Sequence, residues 1–262
     1  MSTKAGHRDI VSRLLKAHAS VDKKDSEDRT ALMAAAFMDH WEIVELLLDH
    51  GAEISDSLGR TPLMLAASQG QLDAVDLLTK NGAYIDCIDS DGRTAFQLAA
   101  IHGHLPVVDI LLALGADEAH KDNDGAVALH YAVAHGDVTL CKALATSVTV
   151  RATDRAGNHP LINACQGDNE EVVQELINLG ADVEQLSLNG HSALRVAALS
   201  GNTKIVRLLA EHITDWEQQD MDGTPLVHTL LINKQTAMAE LLLTLGAFIS
   251  ARDAHGRTCA HV

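Results

Sequence analysis

The sequence predicts an all-α solenoid built from stacked helix-turn-helix units. Three observations lead there. One stretch, Asp89 to Asp122, reads as a complete unit of turn, short helix, second helix and stop. Turn glycines recur at a nearly fixed interval: Gly59, Gly92 and Gly125 are 33 apart, Gly157 follows after 32, and Gly190, Gly223 and Gly256 after 33 each. Aromatic residues make up only 3 % of the chain while Ala and Leu abound, which suits thin, closely stacked helices. Self-similarity at a period of about 20–50 residues marks a repeat array.

Within the reference unit, Asp89-Ser-Asp-Gly92 is a tight-turn sequence, and Gly92 supplies the backbone freedom of a positive-φ position. Thr94 stands at a helix N-cap, where its hydroxyl can accept a bond from an unpaired N–H. Phe96, Leu98, Ala99 and Ala100 give a short apolar helix that ends at Gly103-His104. Val107, Val108, Leu111 and Leu112 lie at helical spacing in a second helix that stops at Gly115. Asp28 takes the turn glycine's place one unit before Gly59.

A turn aspartate and glycine, then T-P-L-H, A-A, G-H, I-V, L-L and G-A-D, is the pattern of the ankyrin repeat family, which this chain resembles throughout. The match is closest at Asp56-Ser-Leu-Gly-Arg-Thr-Pro-Leu63 and recurs at Gly115-Ala-Asp117 and Gly180-Ala-Asp182. The resemblance implies an ankyrin-repeat solenoid whose units are joined by β-hairpin fingers. One array is expected over 1–262, with seven complete or near-complete repeats from about 25 to 252 and partial ones at 1–24 and 253–262. Neither end shows the polar outer face of a capping repeat, so a fragment of a longer protein is expected.

Departures from the pattern are informative. Gly51 to Asp56 is shorter than the equivalent junctions, which predicts a notch in the ridge of fingers near Glu53 to Leu58, or neutral drift in an exposed loop. Ser147 and Ile213 replace helix-ending glycines, Asp168-Asn169 and Lys234-Gln235 replace Gly-His, and Leu230-Leu231 replaces A-A. Larger residues at the A-A position are expected to push helices apart, and irregular repeats are where an array bends or opens.

Net charge is −16, a poor match for phosphate backbones, so nucleic acid is not an expected partner. An anionic membrane surface is disfavoured for the same reason. The acidity fits either a soluble surface or steering of a basic partner. Cys87, Cys141, Cys165 and Cys259 form no CxxC, and neither a zinc knuckle nor a disulfide framework is indicated. Cys165 stands in an A-A pair as a small buried hydrophobe. With no signal peptide or spanning stretch, membrane insertion is not expected and a cytoplasmic or nuclear protein is.

Fifteen histidines tempt a metal or catalytic reading, yet most have a framework explanation. His7 and His104 are the histidines of G-H, and His130, His228 and His261 hold the T-P-L-H position. The resemblance implies that these imidazoles bond the turns of neighbouring units. No HExxH, Cys/His cluster, GxSxG, P-loop or dinucleotide fingerprint is present. Neither a metal, a cofactor nor an enzyme activity is expected.

What the resemblance implies is recognition through a concave groove made of finger tips and exposed first-helix faces. Carried onto this chain, the partner-binding positions are Arg29, Leu58, Arg60, Arg93 and Met221 on the fingers, with Phe37, Met38, Ile101, His102, His135, Leu199 and Ile232 on the helices. Aromatic, Met and Arg side chains are enriched at interface hot spots. The same residues also fit packing on neighbouring fingers. Trp41 faces either way, and Trp216 reads as finger packing.

A non-enzymatic adaptor or scaffold is the expected function, holding a protein or peptide, preferably a basic or amphipathic segment. Stretches such as Asn189-Gly-His-Ser-Ala-Leu-Arg-Val-Ala-Ala198 and Gln235-Thr-Ala-Met-Ala-Glu240 resemble very long arrays of the ankyrin repeat domain-containing protein 50 type. That resemblance implies endosomal cargo recycling with sorting nexin and retromer, and an endosome-associated location. The alternative is a regulatory scaffold subunit of an enzyme such as a protein phosphatase. Self-association, through array ends or the apolar stripe, is a further expectation.

Overall fold

The computed structural model describes residues 3, 6–54, 59–216 and 218–261, the side chain of residue 260 excepted. It divides into two compact units, Met1–Tyr131 and Ala132–Val262. Fifteen α-helices are found among the described residues. The first unit contains α1 (Arg8–Lys16), α2 (Ala31–Phe37), α3 (Trp41–Asp49), α4 (Pro62–Gln69), α5 (Leu72–Lys80), α6 (Ala95–Ile101) and α7 (Leu105–Ala113), and α8 (Ala128–His135) crosses the boundary. The second contains α9 (Val138–Leu144), α10 (Pro160–Ala164), α11 (Glu170–Asn178), α12 (Ala193–Leu199), α13 (Thr203–Ala210), α14 (Leu226–Ile232) and α15 (Thr236–Leu245).

Each unit has two rows of helices. In the first, α2, α4 and α6 pack side by side, with α3, α5 and α7 as the row behind. In the second, α10, α12 and α14 face α11, α13 and α15. The alanine pairs explain the close spacing: Ala35-Ala36, Ala66-Ala67, Ala99-Ala100 and Ala197-Ala198 are fully buried, and so is Cys165. Behind them Val44, Val75, Val108, Val173 and Val206 close the core. Where Leu230-Leu231 replaces the pair, Leu230 is buried and Leu231 is partly exposed, so one of the two extra side chains turns out of the packing layer.

The turns are built by aspartates. Asp89 Oδ1 accepts the amides of Asp91 (2.9 Å) and Arg93 (2.8 Å), while the Asp89 amide donates to Arg93 O and the Gly92 amide to Asp89 O. Asp25, Asp122, Asp154, Asp220 and Asp253 repeat the arrangement. With those amides taken locally, little is left to form a ladder. No strand forms among the described residues, and Gln219 with Pro225 make an isolated antiparallel bridge. The expected β-hairpin fingers are thus tight turns, joined one to the next by backbone bonds such as Asn123 N–H to Asp91 O, which the Asn123 side chain supplements by donating to Ser90 O, and Leu188 N–H to Ala156 O. Gly157 shows why glycine is required: φ is 76°, and a Cβ there would lie 2.6 Å from Leu188 N in the following turn.

The irregular positions keep the bonds of the regular ones. His104 Nε2 lies 3.1 Å from Ser68 O, tying the foot of one second helix to the end of the preceding first helix. Asn169, Asn202 and Gln235 hold the same place and donate to Gly136 O, Gly167 O and Leu199 O. Asp39 and Lys234 adopt the positive φ of the glycines they replace, 58° and 61°. After α9, which Ser147 leaves without a glycine stop, Thr149 Oγ1 accepts the Thr146 amide and donates to Leu144 O. After α13, Glu184 accepts the amides of Thr214 (2.6 Å) and Asp215 (2.8 Å) and the Thr214 hydroxyl. Trp216 packs beside Gly246 at the end of α15, whose added Cβ would lie 3.2 Å from its Nε1. The notch expected near Glu53 to Leu58 falls largely on residues 55–58, outside the described ones.

The T-P-L-H position is not uniform. His130 Nδ1 accepts the Val127 amide of its own turn, and His261 Nδ1 bonds its own Thr258 hydroxyl. His228 is fully buried and neither ring nitrogen has a partner among the described residues. At that position Gln97 and Arg195 stitch one repeat to the next. Buried Gln97 accepts the Thr94 amide and donates to His120 O (3.1 Å) at the end of its own repeat and to Ala126 O (2.9 Å) of the next. Buried Arg195 reaches Thr224 O, Thr229 Oγ1 and the Asp220 carboxylate.

Two predictions follow from this bonding. Gln97→Leu removes two bonds to backbone carbonyls, takes the acceptor from the buried Thr94 amide and lowers stability by about 2 kcal/mol, whereas His228→Leu removes unpartnered polar atoms and raises it by about 1 kcal/mol. Urea unfolding midpoints of the two variants should move in opposite directions. Glu184 is held below the usual carboxylate range by the backbone amides of Asp215 and Thr214. A depressed folded value means its contribution is present above the unfolded value and lost as pH falls through the folded one. Glu184→Gln should lower the thermal midpoint at neutral pH by about 1–3 °C, with the difference closing in acid below about pH 4. A melting series against pH reads both arms.

Candidate functional site

The site is assembled by three helix starts. Thr30 Oγ1 accepts the Met33 amide, Thr61 Oγ1 the Met64 amide and Thr94 Oγ1 the Gln97 amide, each at 3.2–3.3 Å. Pro62, at the first position of α4, is preorganised for a helix and has no N–H to leave unpaired. These caps set α2, α4 and α6 in one row with equivalent faces outward.

Between those faces lies a cleft of about 400 Å³. Its lining from α2 and its C-cap is Met33, Ala34, Phe37 and Met38, from α4 Met64, Leu65 and Ser68, and from α6 and its C-cap Leu98 and His102. Arg29, Arg60 and Asp89 close it on the finger side. Met33 and Met64 are only 1 % exposed and form its floor, while Phe37 at 40 % and Met38 at 44 % stand at its mouth. Three of the chain's six methionines therefore meet in one cavity. Thioether side chains are flexible and polarisable, which suits a surface that accepts apolar groups of varied shape.

A second cavity of about 230 Å³ adjoins it and shares the walls Arg29, Met33, Arg60 and Asp89. Its other lining residues are Glu27, Asp28, Ser90 and Asp91. The finger side is thus acidic where the helix side is apolar. Arg29 is already engaged, with ion pairs to Asp25 (3.4 Å) and to Glu27.

Sequence comparison matches the family described as ankyrin repeats (3 copies) over the overlapping stretches 1–89, 81–155, 98–187, 129–220 and 161–253. The chain belongs to the ankyrin repeat family. Ankyrin repeats are protein–protein interaction modules and are generally non-catalytic. Inversin from Gallus gallus is 34 % identical over 106 residues, 40 % of this chain and 10 % of that protein. The nuclear factor NF-kappa-B p105 subunit from Gallus gallus is 31 % identical over 107 residues, 39 % of this chain and 11 % of that protein. SH3 and multiple ankyrin repeat domains protein 2 from Homo sapiens is 33 % identical over 102 residues, 38 % of this chain and 6 % of that protein. The chain spans about a tenth of the length of the first two curated relatives.

Of the positions expected in this ankyrin groove, Arg29, Phe37, Met38, Arg60 and His102 line the one cleft. Ile101 is half-buried at the end of α6 and does not line it, and Leu58 lies outside the described residues. Arg93 is turned to the framework: it pairs with Asp91 (3.2 Å) and Asp122 (3.9 Å) and lies 5.8 Å from the Tyr131 ring centre. The Tyr131 hydroxyl in turn donates to Asp122, and burial, reinforced by that carboxylate, pushes the phenol up to about 12.

In the second unit His135 is exposed beside Asp168 and Asn169 in a separate open cleft, Leu199 is half-buried, and Ile232 and Met221 are 58 % and 72 % exposed. Trp41, at the start of α3, is 43 % exposed and is not among the residues lining the cleft.

Sequence reasoning missed Met33, Met64, Leu65 and Leu98. The signal for the first two was present: Thr30-Ala-Leu-Met33 and Thr61-Pro-Leu-Met64 place methionine twice running at the T-P-L-H histidine position.

Among the described residues no group of three or more His, Cys, Asp or Glu side chains is placed to hold a metal ion. Burial raises the thiols of Cys141 and Cys165 to about 12, so neither supplies a thiolate near neutral pH. No described helix is long and apolar enough to cross a membrane. The engagement of Arg93 gives a stability test. Arg93→Ala should cost about 1 kcal/mol by loosening Asp122 and Tyr131, while Arg60→Ala, exposed at the cleft edge, should cost less than about 0.5 kcal/mol. Chemical denaturation of both variants separates the framework arginine from the groove arginine.

Proposed function

We propose that this chain is a non-enzymatic adaptor or scaffold that grips a protein or peptide partner in the cleft of its first unit. The observation that supports the reading is the pairing of exposed Phe37 and Met38 over a buried methionine floor. Apolar side chains held at the mouth of a preformed cavity lose little freedom on binding and shed water when a partner arrives. The proposal extends to a cytoplasmic setting and to endosomal cargo recycling, on the resemblance of Asn189–Ala198 and Gln235–Glu240 to long arrays. The alternative, a regulatory subunit of an enzyme such as a protein phosphatase, uses the same surface and differs in bringing down a catalytic chain at fixed stoichiometry.

The test is affinity purification from cell extract with the wild-type chain beside a Phe37→Glu/Met38→Glu variant. Both side chains are exposed, so circular dichroism of the variant should be unchanged. A discrete set of proteins should bind the wild type and be lost from the variant. Equal recovery of the same proteins by both would remove the cleft as the working surface.

A further inference from the structure

The two adjoining cavities of the first unit differ in chemistry, and that difference identifies what fits them. The helix-side cleft is lined by Phe37, Met38, Met64, Leu65 and Leu98. At about 400 Å³ it falls within the roughly 300–1,000 Å³ over which pockets bury a ligand. The finger-side bay carries four carboxylates, Glu27, Asp28, Asp89 and Asp91, against two guanidinium groups, Arg29 and Arg60, a local excess of two negative charges. From outside the bay lining Asp25 pairs with Arg29, while Lys24 pairs with Asp28 (3.6 Å) and Arg93 with Asp91 (3.2 Å), so with these neighbours counted the excess is one negative charge. The bay therefore favours a cation, in keeping with the −16 net charge of the chain. Because four residues are walls of both cavities, the two groups of a ligand must lie close together.

Resting on the reading of this cleft as a docking site, we propose that its occupant is a protein segment with a paired signature. One or two large apolar side chains fill the methionine-lined cleft, and a Lys or Arg within about three residues enters the acidic bay, a separation of roughly 10 Å of extended chain. The methionine floor selects the class of apolar side chain and tolerates its shape. The bay selects the sign of the neighbouring charge, and a carboxylate in the same place would add to the negative excess that Glu27 and Asp89 leave there. The binding preference is thus loose for shape and strict for charge.

The experiment is selection of random peptides displayed against the intact chain, followed by fluorescence anisotropy of the strongest peptide. Enriched peptides should carry Lys or Arg within about three residues of Leu, Ile, Met or Phe. Binding should be abolished by Phe37→Glu/Met38→Glu and weakened about tenfold by Glu27→Gln/Asp28→Asn/Asp91→Asn. Should the triple substitution disturb the fold, the wild type decides. Affinity should fall several-fold from about 0.05 M to about 0.5 M NaCl, and a flat profile opposes the proposal. Peptides that need Phe37 and Met38 yet carry acidic or uncharged flanks overturn the paired signature and leave the docking reading standing. Peptides indifferent to the Phe37→Glu/Met38→Glu variant overturn the docking reading itself. A selection that enriches nothing overturns both.

Discussion

In most repeats of this chain the turn is shaped by one carboxylate oxygen that accepts two backbone amides. Asp25, Asp89, Asp122, Asp154, Asp220 and Asp253 all do so, taking the N–H groups two and four residues ahead. Ser187 fills the place once with a hydroxyl, which takes the His191 amide. A charge-assisted bond is roughly twice as strong as a neutral one, so the aspartate turn is the stiffer form. Turns of equal height are what allow helices of seven to nine residues such as α2 to α7 to stack in register. Isolated helices that short are marginal in water, so packing between repeats must hold them.

That packing has an apolar and a polar component. Buried alanine pairs let the first helices approach closely, and Leu32, Leu63, Phe96 and Leu129 fill the space beside them. Burial alone does not fix how far one repeat slides along the next, since apolar contact is non-directional. Gln97 and Arg195 supply direction, each reaching a carbonyl of the following repeat from a buried position. At the feet of the second helices, His104, Asn169, Asn202 and Gln235 do the same toward the preceding repeat.

The repeat period, the two helices of each unit and the buried alanines were legible because each rests on local rules: turn chemistry, caps and helical spacing. Replacement was legible as departure but not in its consequence. Asp168-Asn169 reads as a broken Gly-His, yet the Asn169 amide reaches the carbonyl that an imidazole would. Ile213 reads as a lost helix stop, yet Glu184, thirty residues earlier, holds the chain through Thr214 and Asp215. Such bonds join residues a full repeat apart, and spacing alone does not reveal which side chain is long enough to make them. For the site, exposure of Phe37 and Met38 followed from register. The inward turn of Arg93 did not, because it depends on Tyr131, a residue with no framework equivalent in the pattern.

The position of the cleft follows from the same framework rule. At the T-P-L-H histidine position, Gln97 and Arg195 extend into the next repeat and bond it. Met33 and Met64 hold that position in the two preceding first helices and have no such bonding capacity; the Met33 sulfur does no more than accept the Thr30 amide of its own turn. Where the polar stitch is replaced twice in succession, the side chains lie under an open surface that Phe37, Leu65 and Leu98 border. The turn aspartates next to that surface stay in place, because the fold needs their oxygens for the amides. Asp89 therefore has two consequences at once: it shapes its own turn and it lends charge to the wall shared by the apolar cleft and the acidic bay. A methionine floor beside a carboxylate rim arises here from one local exchange within an otherwise regular array.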